Sequence, residues 1–294
     1  MGEPSKDPDG GRPQGPTQPD VMMGEAISER RPRSGLGLEV PSYNILGVPI
    51  SITSLTRASA TIHGWAEDGH GRFVCIRDVH GLMQTVDDPA LRLLHRKAAM
   101  VTPDGMPLVW IGLKRGLAVS RTCGADLMDQ VYADSEKSGL THYLYGGKVG
   151  IVDTLLTRFK SRYPRLRVVG VETPPFHLLD NTEVEALAAR IEKTGASVVW
   201  IGLSTPKQEF LMERLAPLLS STLVGVGAAF DFHAGAVKRA PVWMQRGGLE
   251  WFFRLITEPR RLWRRYLIMC PRFLLNLAHD FLKTRSWTTL LLRD

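Results

Sequence analysis

The sequence predicts an α/β fold, with a mainly parallel β-sheet covered by helices on both faces. From about Tyr43 onward, short apolar runs alternate with longer amphipathic segments, which is the pattern of successive βαβ units. Val198–Ile201 and Leu223–Val226 are continuous apolar runs, as expected for strands buried on both faces of a sheet. Clusters of polar residues and glycine follow these runs, at the carboxyl edge where open α/β sheets bind their ligands.

The strand candidates are short apolar runs bounded by polar residues, glycine or proline. In chain order they are Ile45–Ile52, Phe73–Ile76, Ala99–Val101, Thr141–Tyr145, Arg167–Val171, Ser197–Gly202 and Thr222–Val226. Amphipathic segments between them favour helices. The helix candidates are Gly124–Lys137, Gly150–Tyr163, Thr182–Thr194 and Lys207–Leu219, and a Gly/Ala-rich loop is predicted over Gly227–Gly235.

Composition divides the chain into three predicted regions. Residues 1–40 are rich in Pro, Gly and charge, so we predict a disordered tail. Residues 43–240 would form the α/β core, and residues 241–294 a helical, basic appendage. Residues 237–294 hold 12 Lys and Arg against 4 Asp and Glu, whereas the rest of the chain holds 25 against 26. This excess indicates an anionic partner: membrane lipid, a substrate diphosphate or nucleic acid.

The chain carries no predicted metal or cofactor site and no predicted membrane span. Cys75, Cys123 and Cys270 are far apart and match no metal-ligand spacing. No signal-peptide pattern opens the chain. The most apolar segment, Leu262–Leu282, is interrupted by charged residues and Pro271. We therefore expect a cytoplasmic protein that touches the inner face of the plasma membrane peripherally.

Asp104 is the first candidate for chemistry. It follows a predicted strand and precedes Gly105 and Pro107. A carboxylate there could accept a proton from a substrate hydroxyl, while Gly105 would let the substrate approach the backbone. From spacing alone, an N-cap of the following helix is the simpler explanation.

Two turns are candidates for binding an anion. Gly146 and Gly147 lie between a predicted strand and a predicted helix, where backbone N–H groups favour phosphate; a plain tight turn explains them equally well. Pro206 and Glu209 are ordinary residues for a helix start. Lys207 is not, because a cation there is unfavourable unless an anionic ligand offsets it.

Four further residues have weaker patterns. Arg121 and Asp126 could hold a sugar or a diphosphate, although a solvated arginine and a helix cap explain them nearly as well. Asp231 and His233 lie in the Gly/Ala-rich loop. A lone histidine is more often structural than a ligand, and no second His or Cys spacing indicates a metal.

The segment after Trp243 mixes aromatic residues with arginines. A helical pair with core aromatics and solvated arginines is one explanation. An interfacial helix in the lipid headgroup layer is the other. Nucleic acid is not favoured as a partner, because no recognised module is present and the aromatics cluster instead of alternating.

Taken together, these segments resemble the WecG/TagA/CpsF family of bacterial glycosyltransferases, which implies a Rossmann-like core. The matching segments keep the family's order and spacing from about Leu46 to Tyr266. They are Thr102–Trp110 (TPDGMPLVW), Arg121–Leu127 (RTCGADL), Leu144–Gly147 (LYGG), Gly202–Glu209 (GLSTPKQE) and Gly225–Tyr266.

The resemblance implies transfer of an aminosugar, such as N-acetylmannosamine, from a UDP-sugar to a sugar on a polyprenyl diphosphate. The product would feed cell-wall polymer or surface polysaccharide synthesis. The resemblance also implies a metal-independent, inverting reaction, an Asp general base (Asp104 by position), and association of the core into homo-oligomers. It adds expected contacts to those above. Substrate-binding residues would be Thr102, Gly105, His80, Arg121, Asp126, Gly146, Gly147, Pro206, Lys207, Gln208, Glu209 and Asp231, and those meeting lipid diphosphate or membrane would be Arg254, Arg260, Arg261, Arg264 and Arg265.

One place departs from the family pattern. After the second strand the family usually has a Thr and an Asn two residues apart, where this chain has Ile76 and Asp78, followed by His80. Asp78 can accept a hydrogen bond but, when ionised, cannot donate one. The change bears on the donor sugar and acceptor, and it makes Asp78 a rival base.

Two other functions remain open from the sequence. A catalytically altered scaffold or regulator of polysaccharide synthesis would be consistent with the changed Ile76/Asp78 pocket. A nucleotide-binding oxidoreductase would be consistent with the α/β pattern, but no G-x-G-x-x-G turn follows the first strand.

Overall fold

The computed structural model describes Met1 and residues 40–148 and 150–284, with the side chains at positions 246, 261, 265 and 284 excepted. The predicted tail, residues 1–40, therefore lies outside the described residues apart from its two ends. The same holds for the last ten residues of the predicted appendage. The described residues from Val40 onward belong to one compact unit.

The described chain begins with a small antiparallel hairpin, β1 (Ser42–Ile45) and β2 (Val48–Ser51). The single strand predicted over Ile45–Ile52 is therefore wrong. Leu46 and Gly47 both have positive φ, 52° and 84°. Two successive residues of this kind reverse the chain in a two-residue turn.

A six-stranded parallel sheet forms the centre of the fold. Its strands, in chain order, are β3 (Arg72–Arg77), β4 (Met100–Pro103), β5 (Thr141–Gly146), β6 (Arg167–Glu172), β7 (Val198–Gly202) and β8 (Thr222–Gly225). They lie side by side in the order β4-β3-β8-β7-β5-β6. Because all six are parallel, the loops that leave them open at one edge of the sheet. The predicted mainly parallel α/β sheet is confirmed.

The helices of the core lie between the strands along the chain, except the last, which follows β8. They are α1 (Leu55–Asp68), α2 (Val79–Asp87), α3 (Pro89–Lys97), α4 (Met106–Lys114), α5 (Gly124–Ser138), α6 (Ile151–Arg162), α7 (Asn181–Lys193), α8 (Lys207–Leu215) and α9 (Ala229–Ala234). The predicted helix Lys207–Leu219 ends as an α-helix at Leu215 and continues as a 3₁₀ turn through Pro217, because proline has no N–H to donate. The predicted loop Gly227–Gly235 is wrong over α9, whose flanking glycines Gly227 and Gly235 have positive φ.

Two apolar cores lie on opposite faces of the sheet. Alternate residues of β7 enter different cores: Val199 and Ile201 join one, and Val198 and Trp200 join the other. This alternation is the two-residue period of a strand. It confirms that the sheet is covered on both faces.

The C-terminal part of the described chain is helical. It comprises α10 (Val242–Arg246), α11 (Glu250–Thr257), α12 (Pro259–Leu267) and α13 (Met269–Thr284). Helix α13 packs on α2, where Arg272 pairs with Asp87 at 2.5 Å and Phe273 is buried. None of the described helices combines the length and the apolar composition that crossing a bilayer requires.

Candidate active site

The candidate site lies at the carboxyl edge of the sheet, where the loops after β3, β4, β5, β7 and β8 meet. The closest approach is between the ends of β5 and β7. A Cβ added at Gly146 would lie 2.6 Å from the carbonyl oxygen of Gly202. A side chain at position 146 would collide with the backbone of Gly202, so glycine there allows the ends of the two strands to approach this closely.

Asp104 is placed by the strand beside it. Its backbone N–H donates to the carbonyl of Arg77 at 2.8 Å, and that of Gly105 donates to the same oxygen at 3.3 Å. A Cβ at Gly105 would lie 3.2 Å from the Cα of Asp78. These contacts bring the loop that carries Asp104 against the loop that carries Asp78.

A single guanidinium holds the Asp104 carboxylate. Arg121 Nη2 donates to Asp104 Oδ1 at 2.9 Å, and Arg121 Nε donates to the backbone carbonyl of the same aspartate at 2.9 Å. The same Nη2 also donates to Glu250 Oε2, on α11, at 2.7 Å. The Asp104 side chain is 31% exposed and that of Arg121 is 18% exposed, so solvent reaches the pair.

The surroundings make Asp104 a stronger base than a free aspartate. Burial raises the pKa of its carboxyl, and the nearby charges of Glu250 and Asp78 raise it further, against the opposing effect of Arg121. A carboxylate with a raised pKa accepts a proton more readily, and it must be ionised to do so.

Asp78, the rival base, has a structural role. Its side chain accepts a hydrogen bond from the backbone N–H of Gly81 at 2.8 Å and so caps the start of α2. His80 lies half-buried in the first turn of the same helix, and Ile76 packs against the core on the α1 and α5 side of the sheet.

A buried polar network lies beneath the loops. Arg77, 1% exposed, forms an ion pair at 2.8 Å with Glu209, which is fully buried. Glu209 also accepts from Gln208 Nε2 at 2.9 Å, and Gln208 Oε1 accepts from the backbone N–H of Gly227 at 3.0 Å. The network therefore joins β3, the start of α8 and the turn after β8, and both ends of the Gln208 amide have partners within it.

His95 completes this network. Its Nδ1 lies 2.7 Å from the carbonyl of Leu91, which can only accept, so Nδ1 carries the proton. Its Nε2 then accepts from Arg77 Nε at 2.5 Å. Burial, together with the charge of Arg77, lowers the pKa of His95 to about 4, and the imidazole is neutral at pH 7.

Some predicted binding residues open onto this edge. Lys207 is exposed at the first position of α8, directly after the cis peptide between Thr205 and Pro206. Gly147 is half-buried and its N–H lies 3.4 Å from the carbonyl of Gly202. These residues lie together at the carboxyl edge, as the strand ends predicted.

Other predicted binding residues have partners inside the protein. Thr102 is fully buried and donates its hydroxyl to the carbonyl of Thr122 at 3.0 Å. Asp126 pairs with Arg239 at 2.6 Å. Asp231 is half-buried in α9, and its backbone carbonyl accepts from the N–H of Ala236 at 2.9 Å.

His233 has a structural role as well. Its Nε2 lies 3.0 Å from the carbonyl of Ala125, and its ring packs against Phe159 with centroids 4.9 Å apart. Among the residues that the structure describes, no group of three or more His, Cys, Asp or Glu is arranged to hold a metal ion.

The C-terminal helices expose an apolar and cationic surface beside the site. Arg254 lies over the ring of Phe232 at 5.5 Å, and Arg260 and Arg264 are exposed. The side chains of Arg261 and Arg265 lie outside the described residues. We call the exposed apolar side chains of α10–α13 and their connections the apolar face: Val242, Trp243, Leu249, Trp251, Phe252, Ile256, Trp263, Leu267, Ile268, Leu274, Leu275 and Leu282.

Three residues of this edge were not expected from the sequence. Arg77 pairs with Glu209, Glu250 pairs with Arg121, and Arg239 pairs with Asp126. Arg77 had a signal, because a charged residue at the end of an apolar strand needs a partner when it is buried. Nothing in the local sequence around Glu250 indicated its contact with Arg121.

The arrangement suits two tasks at once. A partly exposed carboxylate with a raised pKa can accept a proton, while Lys207 and the glycine turn can bind an anionic group. Alongside this geometry, the family described as "Glycosyl transferase WecG/TagA/CpsF family" matches residues 43–286. The match spans every element of the central sheet.

Proposed function

The chain belongs to the WecG/TagA/CpsF family of glycosyltransferases, and from this premise we propose that it transfers an N-acetylated aminosugar from a UDP-sugar. The acceptor is a sugar carried on a polyprenyl diphosphate, and the product enters surface polysaccharide or cell-wall polymer synthesis. The observation that carries this proposal is the half-exposed Asp104, whose pKa is raised at the carboxyl edge of the sheet.

Asp104 acts as the general base in this proposal. It takes the proton from the acceptor hydroxyl as that oxygen attacks the anomeric carbon of the donor. The bond from the anomeric carbon to the UDP oxygen breaks on the opposite face, so the configuration inverts and UDP leaves with the electron pair. Lys207 supplies positive charge for the diphosphate, and the reaction proceeds without a metal ion, as the family resemblance implies.

The apolar face supports a membrane-associated acceptor. A polyprenyl carrier remains in the bilayer, so the enzyme must work at the lipid surface. Large apolar side chains next to exposed arginines suit the headgroup layer, where each arginine contributes on the order of 1 kcal/mol. We propose that residues 43–240 hold the donor and that residues 241–294 bring the core to the inner face of the plasma membrane.

A panel of UDP-aminosugars tests the function. Each donor is incubated with a short-chain polyprenyl-diphosphate-linked sugar, and both UDP release and the mass of the product are followed. We expect one donor to give a product one aminosugar heavier, with stoichiometric UDP.

A second function, a catalytically altered scaffold of polysaccharide synthesis, rests on the departure from the family pattern at Ile76 and Asp78. UDP binding without turnover on any donor and acceptor of the panel would favour the scaffold and contradict the enzyme.

A further inference from the structure

Glu250 brings a second carboxylate to the proposed base. It is the first residue of α11, and its side chain is only 18% exposed. One nitrogen of Arg121, Nη2, is shared between Glu250 Oε2 at 2.7 Å and Asp104 Oδ1 at 2.9 Å. The C-terminal helices thus reach the site through a charged contact as well as through apolar packing.

Packing around Glu250 fixes where this carboxylate lies. Just before α11, Gly248 has φ of 71°, and a Cβ there would lie 3.2 Å from the ring of Trp110 on α4. One turn further along α11, Arg254 lies over the ring of Phe232 of α9 at 5.5 Å. Glu250 is therefore held between two contacts with the core, and an incidental surface pair would lack such support.

Sharing the guanidinium has a physical consequence for Asp104. Arginine prefers to bind a carboxylate through two parallel hydrogen bonds. A guanidinium engaged only by Asp104 could turn and bind both of its oxygens, which would lower the basicity of the carboxylate and crowd the approach of a substrate hydroxyl. Arg121 Nη2 carries two N–H groups, and it donates to both Asp104 Oδ1 and Glu250 Oε2, while Nε donates to the backbone carbonyl of Asp104. Glu250 thus helps to fix an orientation in which Arg121 meets the Asp104 carboxylate through one oxygen only.

The other charged groups near Asp104 are fixed by different elements. Asp78 lies at the start of α2, and Arg121 lies before α5. Behind Arg121, Cys123 and Asp126 contact Arg239. Of the acidic groups, Glu250 and Asp78 both raise the pKa of Asp104, and only Glu250 comes from the C-terminal helices.

We propose that Glu250 is a positioning residue that holds Arg121 in a shared ion pair and so keeps the Asp104 carboxylate open to the acceptor hydroxyl. This inference rests on the proposed function, in which Asp104 is the base. It makes docking of α11 on the core a condition for the proton transfer. The C-terminal helices would therefore complete the site as well as approach the membrane.

The decisive variant is Glu250→Gln, which keeps the shape and the acceptor oxygen but removes the charge. The carboxyl carbon of Asp104 is titrated by NMR in the full chain, with Asp104→Asn supplying its assignment. We expect the midpoint to move to lower pH in Glu250→Gln, because one of the charges that disfavours ionisation of Asp104 is gone. Glu213→Gln is the control, since Glu213 pairs with Lys97; it should leave the midpoint in place.

Kinetics supply a second readout. In Glu250→Gln the acid limb of the kcat/KM profile should move to lower pH, since Asp104 must be ionised to act. Glu250→Ala also removes the acceptor oxygen that holds Arg121, and we expect it to lose about tenfold in kcat/KM at the pH optimum. Thermal unfolding of each variant separates this loss from loss of fold.

The two proposals fail in different ways. An Asp104 midpoint that is the same in the wild type and in Glu250→Gln overturns the role of Glu250, whatever the enzyme transfers. Absence of transfer by the wild type, or full turnover by Asp104→Asn, contradicts the proposed function, and the NMR titration still decides whether Glu250 acts on Asp104.

Discussion

Two arginine–carboxylate groups lie close together at the carboxyl edge of the sheet, and they differ mainly in burial. Arg77 and Glu209 are 1% and 0% exposed, whereas Arg121 and Asp104 are 18% and 31% exposed. The groups are connected, because the backbone carbonyl of Arg77 accepts hydrogen bonds from Asp104 and Gly105. The same pairing chemistry is therefore present once inside the protein and once at its surface.

The difference separates a supporting role from a reacting one. A buried ion pair that loses one partner leaves a charge with no water to solvate it, so its geometry is fixed by a large penalty. A half-exposed pair carries a smaller penalty and can exchange its partners with a ligand. The buried group positions the loops after β3 and β8, and the exposed group is the one that a substrate can reach.

The largest expected effect is on the buried pair. Arg77→Met strands the charge of Glu209, and we expect a loss of about 3–5 kcal/mol in the free energy of unfolding. The matched control is Arg72→Met on the same strand, whose partner Asp68 is 37% exposed; it should lose at most about 1 kcal/mol. Urea denaturation measures both. Equal losses in the two variants would contradict the expected difference between buried and exposed pairs. The double variant, Arg77→Met with Glu209→Leu, should regain part of the stability that Arg77→Met loses, because no buried charge is then left without its partner.

The next effect is on turnover. Asp104→Asn cannot accept a proton, and we expect it to fold normally while kcat falls by about a hundredfold or more. Asp78→Asn is the comparison, because asparagine caps a helix as well as aspartate does; it should keep most of the turnover. If Asp78→Asn loses turnover in the transfer assay and Asp104→Asn keeps it, the base is Asp78, and the pair of Arg121 and Asp104 is structural.

A smaller effect is expected at Gln208, which links the buried group to the turn after β8. Gln208→Leu leaves the N–H of Gly227 without its acceptor, at a cost of about 1–3 kcal/mol, and should raise KM for the donor more than it lowers kcat. Gln130→Leu, which removes a pair with Asp134 on α5, should shift stability by no more than about 0.5 kcal/mol. An unchanged KM together with lowered stability would show that Gln208 has only a structural role, within the buried group of Arg77 and Glu209.

The smallest effects are expected on α12, whose exposed arginines belong to neither pair. Replacing Arg260 and Arg264 by Ala should weaken binding to vesicles containing anionic lipid by about fivefold for each arginine, with transfer to a water-soluble acceptor preserved. Sedimentation with such vesicles at low and high salt measures the change. The control is Arg57 and Arg165, two exposed arginines of the α/β part of the chain. Replacing both by Ala removes the same charge and should leave vesicle binding nearly unchanged. Equal losses would assign the attraction to net charge alone.

The sheet was predictable because its signal is local. The apolar runs of β7 and β8 and the polar residues that follow each strand were enough to place Asp104, Gly146 and Lys207 at one edge. The hairpin at Leu46 and Gly47 was missed. Apolar residues lie on both sides of this turn, so the segment looked like one continuous strand, and the positive φ angles that reverse the chain are not evident from the sequence. Helix α9 was missed because it is only six residues long and lies between glycines, so that the segment resembles a loop.

The partners of the charged residues could not be predicted from the sequence. Arg77 meets Glu209 and Arg121 meets Glu250 only after the chain has crossed the sheet several times. Local patterns say that a buried charge needs a partner, but tertiary packing selects which one. The family resemblance located Gln208 and Asp104 as residues, and it did not indicate that the amide of Gln208 is held at both ends.

The glycine contact between the ends of β5 and β7 limits how this site could be redesigned. A Cβ at Gly146 would lie 2.6 Å from a backbone oxygen, and one at Gly202 would lie 2.7 Å from the ring of Phe230. Neither Gly146 nor Gly202 has room for a side chain. Libraries that aim at unnatural sugar nucleotides should therefore leave Gly146 and Gly202 unchanged.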